Sequence, residues 1–408
     1  MRILWFVQEN FDPSREKGGY NGAGWISSLR NEIIKKEGVE LALAFFSNKK
    51  ESGTANNVKY YSMLTPALSP FKKIALRLKG DYIKEEEALW PEYREEMLKV
   101  LDDFKPDIIQ IFGSENKYGL VAAVTDIPVV LHIQGVVNPY LNAYLPPFVS
   151  WEKSTWLKSI IKRPQRINWL CLQHSEQEVF RFVKHYIGRT EWDKRVVTLL
   201  SQGCHYYYGS EILRDVFYDA EMNRKIPSKI TIISTISQPL YKGYDLILKT
   251  ASLLENLKMD FVWKVIGNIN PDIVEGLVGL KHEKVNVELL GVLSAEQIKK
   301  ELLNCTIYVH PSYIDNSPNS VCEAQMLGVT CIATNVGGVS SIISDGKTGF
   351  LVPANDPFQT AYLIQKISKN ESLNLQIGTN ARVIANTRHN KNKIVEGLLD
   401  IYNNLIQK

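Results

Sequence analysis

Short apolar runs separated by amphipathic stretches recur along this chain. Residues 3–7 form the first, followed by LALAFF at 41–46, DIIQIF at 107–112 and PVVLHI at 128–133. These runs lack polar alternation and are rich in β-branched residues, which suits strands covered on both faces, as in a parallel sheet. Helical patterns lie between them, the first near 25–36, and that alternation predicts a doubly wound α/β domain. Residues 145–225 are less regular and rich in aromatic and basic side chains. After Pro227 a cleaner series begins, with strand patterns at 229–237, 261–267, 286–291, 306–312, 329–334 and 349–353 and a helix over 244–255. Ser294 with Gln297, and Ser320 with Glu323, have capping-box spacing, so helices are expected to start at both. The pattern divides the chain into a first domain over 1–210, a second over 211–389 and a closing helix over 390–408 that packs back toward the first. Two such domains leave a cleft between them, and parallel sheets bind ligands at the carboxyl ends of their strands.

At 408 residues the chain exceeds one ordinary core. Hydrophobic residues at 45% and charged residues at 23% describe a globular protein. A net charge of +4 gives no basis for wholesale nucleic-acid binding. The five cysteines form no CxxC pair and read as buried free thiols in a reducing compartment. The N-terminal apolar run is too short for a signal-peptide core, and no stretch approaches the ~20 apolar residues of a membrane span. A cytoplasmic protein is therefore expected, with peripheral contact at the inner face of the membrane. The segment 151–170 would make that contact, because it carries five basic residues, one acidic residue and three tryptophans. A solvated basic face over a tryptophan-containing core is the alternative.

The most informative stretch is HPSYIDNSPNSVCEAQMLGVTCIATNVGGVSSIISDGKTGFLVPAND at 310–356. It contains Pro311-Ser312, Asp315 and then Glu323-Ala324 after seven intervening residues, Gly328, Gly337-Gly338 and a turn running into Thr348 to Val352. In this order the residues resemble the carboxy-terminal signature of retaining glycosyltransferases of family four. The resemblance implies the GT-B fold: two Rossmann-like α/β domains facing across a cleft. It also implies a nucleotide-sugar donor held mainly by the second domain. Asp315 to Asn319 immediately precede a helix start, where unsatisfied N–H groups and partial positive charge favour an anion. The diphosphate is thus expected against Asn316, Ser317, Asn319, Ser320 and Val321, with Asp315 on sugar hydroxyls and, by resemblance, Glu323 on the ribose. Glu323 as a plain capping-box residue is the structural alternative. The family's first acidic residue is usually Glu, and here it is Asp315.

Lys242-Gly243 follows a strand and precedes a helix, where the family carries a Lys-Gly whose lysine neutralises the donor diphosphate. Bond cleavage leaves negative charge on that group, so a cation there is chemically required. The arginine that many relatives place five residues earlier is Ser237 here. In the first domain, the glycine-rich loop 17–24 includes Gly18 and Gly19, which by resemblance face the donor phosphates and the acceptor. LHIQG at 131–135 has Gln134 where relatives carry a histidine. His132 lies two residues earlier on the same strand face and is a candidate to take over part of that catalytic role. A packed strand histidine is the alternative. Arg189, Glu211 and Arg214 are candidates to line the cleft or to form an interdomain salt-bridge cluster.

Gly346-Lys347-Thr348 is not a P-loop, because Ser341 stands where its first glycine belongs. No Asp-x-Asp occurs and no two histidines are spaced as ligands, so no metal or other cofactor is expected. The resemblance therefore implies transfer of a hexose from a nucleoside-diphosphate sugar to a growing, lipid-linked glycan, with retention. Asp315, Lys242 and His132 are the catalytic candidates, and the setting is surface-polysaccharide assembly. An epimerase or a catalytically silent scaffold on the same fold are the rival readings.

Overall fold

The computed structural model describes residues 1–8, 24–147, 149–151, 163–219 and 224–407. Its first sheet contains β1 (Arg2–Phe6), β2 (Glu40–Ser47), β3 (Glu51–Ala55), β4 (Val58–Leu64), β5 (Ile108–Phe112), β6 (Val129–His132), β7 (His185–Gly188) and β8 (His205–Tyr208). Their spatial order is β3-β4-β2-β1-β5-β6-β7-β8. The central strands are buried on both faces, as their largely apolar runs require. The pattern of hydrophobic positions did not indicate the β3–β4 hairpin, the antiparallel edge of this sheet. Its turn is Asn56-Asn57, both at positive φ, a conformation that asparagine tolerates and that matches strand twist. The short strands β7 and β8 also escape the pattern, because histidine and tyrosine fill much of their length.

The second sheet contains β9 (Ile230–Thr235), β10 (Phe261–Ile266), β11 (Val287–Gly291), β12 (Ile307–His310), β13 (Cys331–Thr334) and β14 (Phe350–Val352). Its order is β11-β10-β9-β12-β13-β14, parallel throughout. Apolar clusters cover both of its faces. Ser294 and Gln297 form the expected capping box of the helix Ala295–Leu303.

The last helix, Lys391–Ile406, crosses to the first sheet. Val395, Leu398, Ile401, Tyr402 and Leu405 join Ile3, Trp5 and Trp25 in one buried cluster. Trp5 Nε1 donates to the Tyr402 hydroxyl at 3.0 Å, and that hydroxyl donates to Gln110. The two buried polar groups thereby satisfy each other within an apolar contact.

Candidate functional site

In the second sheet β9 and β12 are neighbours, yet the chain runs outward from them in opposite directions. Strand order reverses there, leaving a crevice beyond the two carboxyl ends. Lys242 follows β9 and Asp315 follows β12, so one side chain reaches the crevice from each side. Their loops approach closely because glycine permits it. Gly243 has φ of 75°, and a Cβ there would strike the Pro311 carbonyl. Gly337 has φ of 51°, and its Cβ would strike the Asp315 carbonyl, which accepts from Gly338 N at 2.9 Å. Any other residue at either position would be strained and would push the loops apart.

Lys242 Nζ pairs with Asp315 Oδ2, and His310 Nε2 lies 3.0 Å from the same oxygen. Asp315 Oδ1 accepts from Asn316 N at 3.0 Å. Burial works to raise the Asp315 pKa, but Lys242 and His310 outweigh it and hold the carboxyl well below the usual range. Burial likewise works against the Lys242 charge, and Asp315 overcomes it and raises the ammonium pKa. His310 is pushed down by burial. The pair is therefore a fixed cation and a fixed anion in a water-poor crevice, where both act strongly on a ligand.

The helix Asn319–Met326 begins one residue before the expected start. Pro318 occupies the N-cap and no side chain caps the helix, so Ser320 and Glu323 form no capping box. Glu323 instead forms a bidentate pair with Arg214, both bonds at 2.8 Å. Two charge-assisted bonds to a guanidinium are stronger than the single neutral bond of a cap. Arg214 Cγ and Cδ pack where a Cβ of Gly24 would stand, so its stem bridges the first domain to the helix that carries Glu323. Burial raises the Glu323 pKa against the pull of Arg214. Val321 is buried beneath the helix start, and its N–H donates to the Pro318 carbonyl at 3.0 Å.

The same loop ties the domains together. Asn316 Oδ1 accepts from Thr190 Oγ1 at 2.6 Å, and its Nδ2 donates to Asp193 Oδ2 at 2.9 Å and to the Gln134 carbonyl at 3.2 Å. Arg189 donates to that carbonyl at 2.8 Å, so Gln134 acts here through its backbone. Ser317 Oγ donates to Glu211 at 2.8 Å. Arg189 and Glu211 thus pair across the domain boundary, Arg189 Nη1 standing 3.7 Å from Glu211, whereas Arg214 pairs with Glu323 inside the second domain. Glu211, Cys322 and His389 place potential ligand atoms within 4.8 Å of one another. Sequence spacing gave no sign of that grouping. Arg388 and Arg189 bear on the same carboxylate, however, and a cation would be repelled there.

His132 is enclosed between Trp25 and Phe112, with ring centroids 4.9 and 5.7 Å away, and is 2% exposed. Burial, aided by Arg189, pushes its pKa down to about 3. It is a neutral core ring, and the expectation of a cleft-facing catalytic histidine is corrected accordingly. Gly18 and Gly19 lie outside the described residues, as do residues 152–162 of the basic tryptophan-rich segment. Within that segment's described part, Arg163 pairs with Glu85 and Glu86 rather than facing solvent. Trp151 and Trp169 gather on Tyr144, which contacts Tyr241 beside Lys242. Sequence reasoning missed His310, Thr190 and Asp193. The last two carry a legible signal, since Thr190 and Asp193 form a capping box on the helix Glu191–Leu200.

Residues 220–384 match the family model of glycosyl transferases group 1. The capsular polysaccharide biosynthesis glycosyltransferase CapM of Staphylococcus aureus is 33% identical over 105 residues, covering 26% of this chain and 28% of that protein. The chain spans less than half the length of the curated relatives it matches. Sucrose-phosphate synthase from Thermosynechococcus elongatus superimposes with a TM-score of 0.74 at 14% identity, covering 100% of this chain and 99% of that one. Anabaena HepE, solved with UDP-glucose, gives 0.63 at 13% identity, with 99% and 100% covered. At those identities the likeness shows the fold, which is that of the GT-B glycosyltransferases.

Proposed function

We propose that this chain, a GT-B fold whose second half matches glycosyl transferases group 1, transfers a hexose from a nucleoside-diphosphate sugar to a growing glycan. The observation that carries the reading is the Lys242–Asp315 pair across the second-domain crevice, beside the open helix start at Asn319. The diphosphate would take the backbone N–H groups of that helix and the Lys242 ammonium, which opposes the charge left when the glycosidic bond breaks. Asp315, released from Lys242 toward the sugar, would accept its hydroxyls while His310 and Asn316 N keep the carboxylate aimed. Arg214 occupies one side of the Glu323 carboxylate, and the remaining lone pairs would accept the ribose hydroxyls. With leaving-group charge answered by Lys242 and backbone amides, no metal or other cofactor is required.

The finer reading is retention of anomeric configuration, a lipid-linked acceptor and a role in capsular or other surface-polysaccharide assembly. The CapM likeness supports that setting. Among the described residues no helix is long and apolar enough to cross a membrane. Cytoplasmic work with peripheral membrane contact through 151–170 belongs to the proposal. The test is a panel of UDP-, GDP-, ADP- and CDP-hexoses with EDTA-treated protein, membranes as acceptor and proton NMR of the new linkage. The expected product keeps the donor's anomeric configuration and forms undiminished in EDTA. Free epimerised sugar, an inverted linkage or strict metal dependence would each count against the reading.

A further inference from the structure

The first sheet has its own reversal of strand order. β1 and β5 are neighbours, but β1 leads toward β2 and β4 while β5 leads toward β6, β7 and β8. The crevice beyond their carboxyl ends is the counterpart of the one that holds Lys242 and Asp315. Gln8 follows β1 and Glu115 follows β5, and Gln8 Nε2 donates to Glu115 Oε1 at 3.2 Å. Gly113 has φ of 84°, and a Cβ there would collide with the Glu115 carboxylate, which folds back over the strand end. Ser114 fixes this loop, its hydroxyl donating to Glu176 and standing 3.1 Å from the Gly135 carbonyl. Glu176 in turn accepts from Val137 N and Asn138 N, both at 2.8 Å. The adjoining Gln134 carbonyl is the one that Asn316 reaches from the donor loop. The Glu115 loop is thus braced against the segment that meets the donor site, and the donor chemistry makes no use of it.

We infer that Gln8 and Glu115 form the subsite that holds the acceptor's hydroxyl groups, selecting an uncharged sugar over a phosphorylated one. The inference rests on the transferase reading above. A sugar hydroxyl donates to one oxygen while accepting from an amide, which is what this pair offers. A phosphate would meet Glu115 and, close by, Glu176, without a countercharge from either. Burial, with the Glu176 charge adding to it, pushes the Glu115 pKa up to about 7, while Gln8 and the backbone of Ser114 and Glu115 pull it down. Near neutral pH the protonated fraction of the carboxyl donates to a sugar oxygen, while the ionised fraction accepts from hydroxyls and repels a phosphate.

The experiment is calorimetric titration of octyl glycosides of glucose, galactose, mannose and N-acetylglucosamine, and of glucose 6-phosphate, into protein saturated with the nucleoside diphosphate that binds it. At least one octyl glycoside is expected to bind the wild type. Glu115→Ala should weaken it about tenfold or more, the loss typical of a bond to a carboxylate, with nucleotide affinity unchanged. Glu115→Gln, which keeps the shape and removes the charge, should recover part of that affinity and admit glucose 6-phosphate. Equal glycoside binding by wild type and Glu115→Ala overturns the assignment. So does a wild type that binds none of the glycosides or binds glucose 6-phosphate equally well. Failure of every nucleoside diphosphate to bind the wild type would sink the transferase reading, and the subsite with it.

Discussion

Replacing Lys242 by alanine is expected to lower turnover by about 100- to 1,000-fold, the usual loss when one preorganised group facing the developing charge is removed. Lys242 Nζ bonds Asp315 beside the open start of the helix Asn319–Met326. Among the described candidate donor contacts it is the one full positive charge, since Ser237 stands where relatives place an arginine. A second cation five residues upstream is thus lacking, and the fall should sit at the upper end of that range. Lys242→Arg should recover only part of the rate, because a planar guanidinium does not reproduce a compact ammonium. Steady-state kinetics with the active donor decide the matter. A loss confined to donor KM with kcat intact would show that Lys242 binds ground state and transition state alike.

The second large effect concerns stability. Glu211 stands where the chain first leaves the first domain, and Arg388 and His389 stand where it returns. Arg388 donates to the Arg189 carbonyl at 2.8 Å, and Ser317 and Cys322 contact the Glu211 carboxylate. Glu211→Ala would leave the buried Arg189 guanidinium without its paired anion and remove the negative charge that faces the half-buried Arg388. Breaking a buried pair from one side costs about 3–5 kcal/mol, or roughly 10 °C in Tm for domains of this size. Burial works to raise the Glu211 pKa, but Arg388, Arg189 and His389 outweigh it and hold it well below its ordinary value of 4.5. A depressed carboxyl contributes stability above the unfolded value and loses it as pH falls through the folded one. Wild type should therefore weaken as pH drops below about 4.5, and Glu211→Gln should show a flatter acid limb. Thermal melts from pH 7 to 3 check both; unchanged melting of Glu211→Ala at pH 7 would remove the hub from the account.

The parallel strands were legible because strands buried on both faces must be largely apolar, as at β1 and β2. The edges were not. In the hairpin, β3 is exposed and polar, and β7 and β8 consist of His, Tyr, Ile and Gly. Lys242 and Asp315 could be read from loop position and motif, since both lie just past strand ends. Glu323 was placed correctly in the helix but given a local cap partner. Its partner Arg214 is 109 positions away and no local rule reaches it. The same holds for Thr190 and Asn316, and for Gln8 and Glu115, which only sheet order brings together. His132 shows the converse error: a histidine on a strand face reads as functional until Trp25 and Phe112 close over it.

The most direct test of the donor site is thermal unfolding of wild type and Glu323→Ala with UDP, GDP, ADP, CDP, their hexose conjugates and NAD. A ligand at about 100 times its Kd stabilises the fold by about 2.7 kcal/mol, a shift readily seen. One nucleoside diphosphate is predicted to stabilise wild type and to lose that effect in Glu323→Ala. Stabilisation by NAD alone, or equal stabilisation of wild type and Glu323→Ala, would contradict the donor site described for residues 315–323.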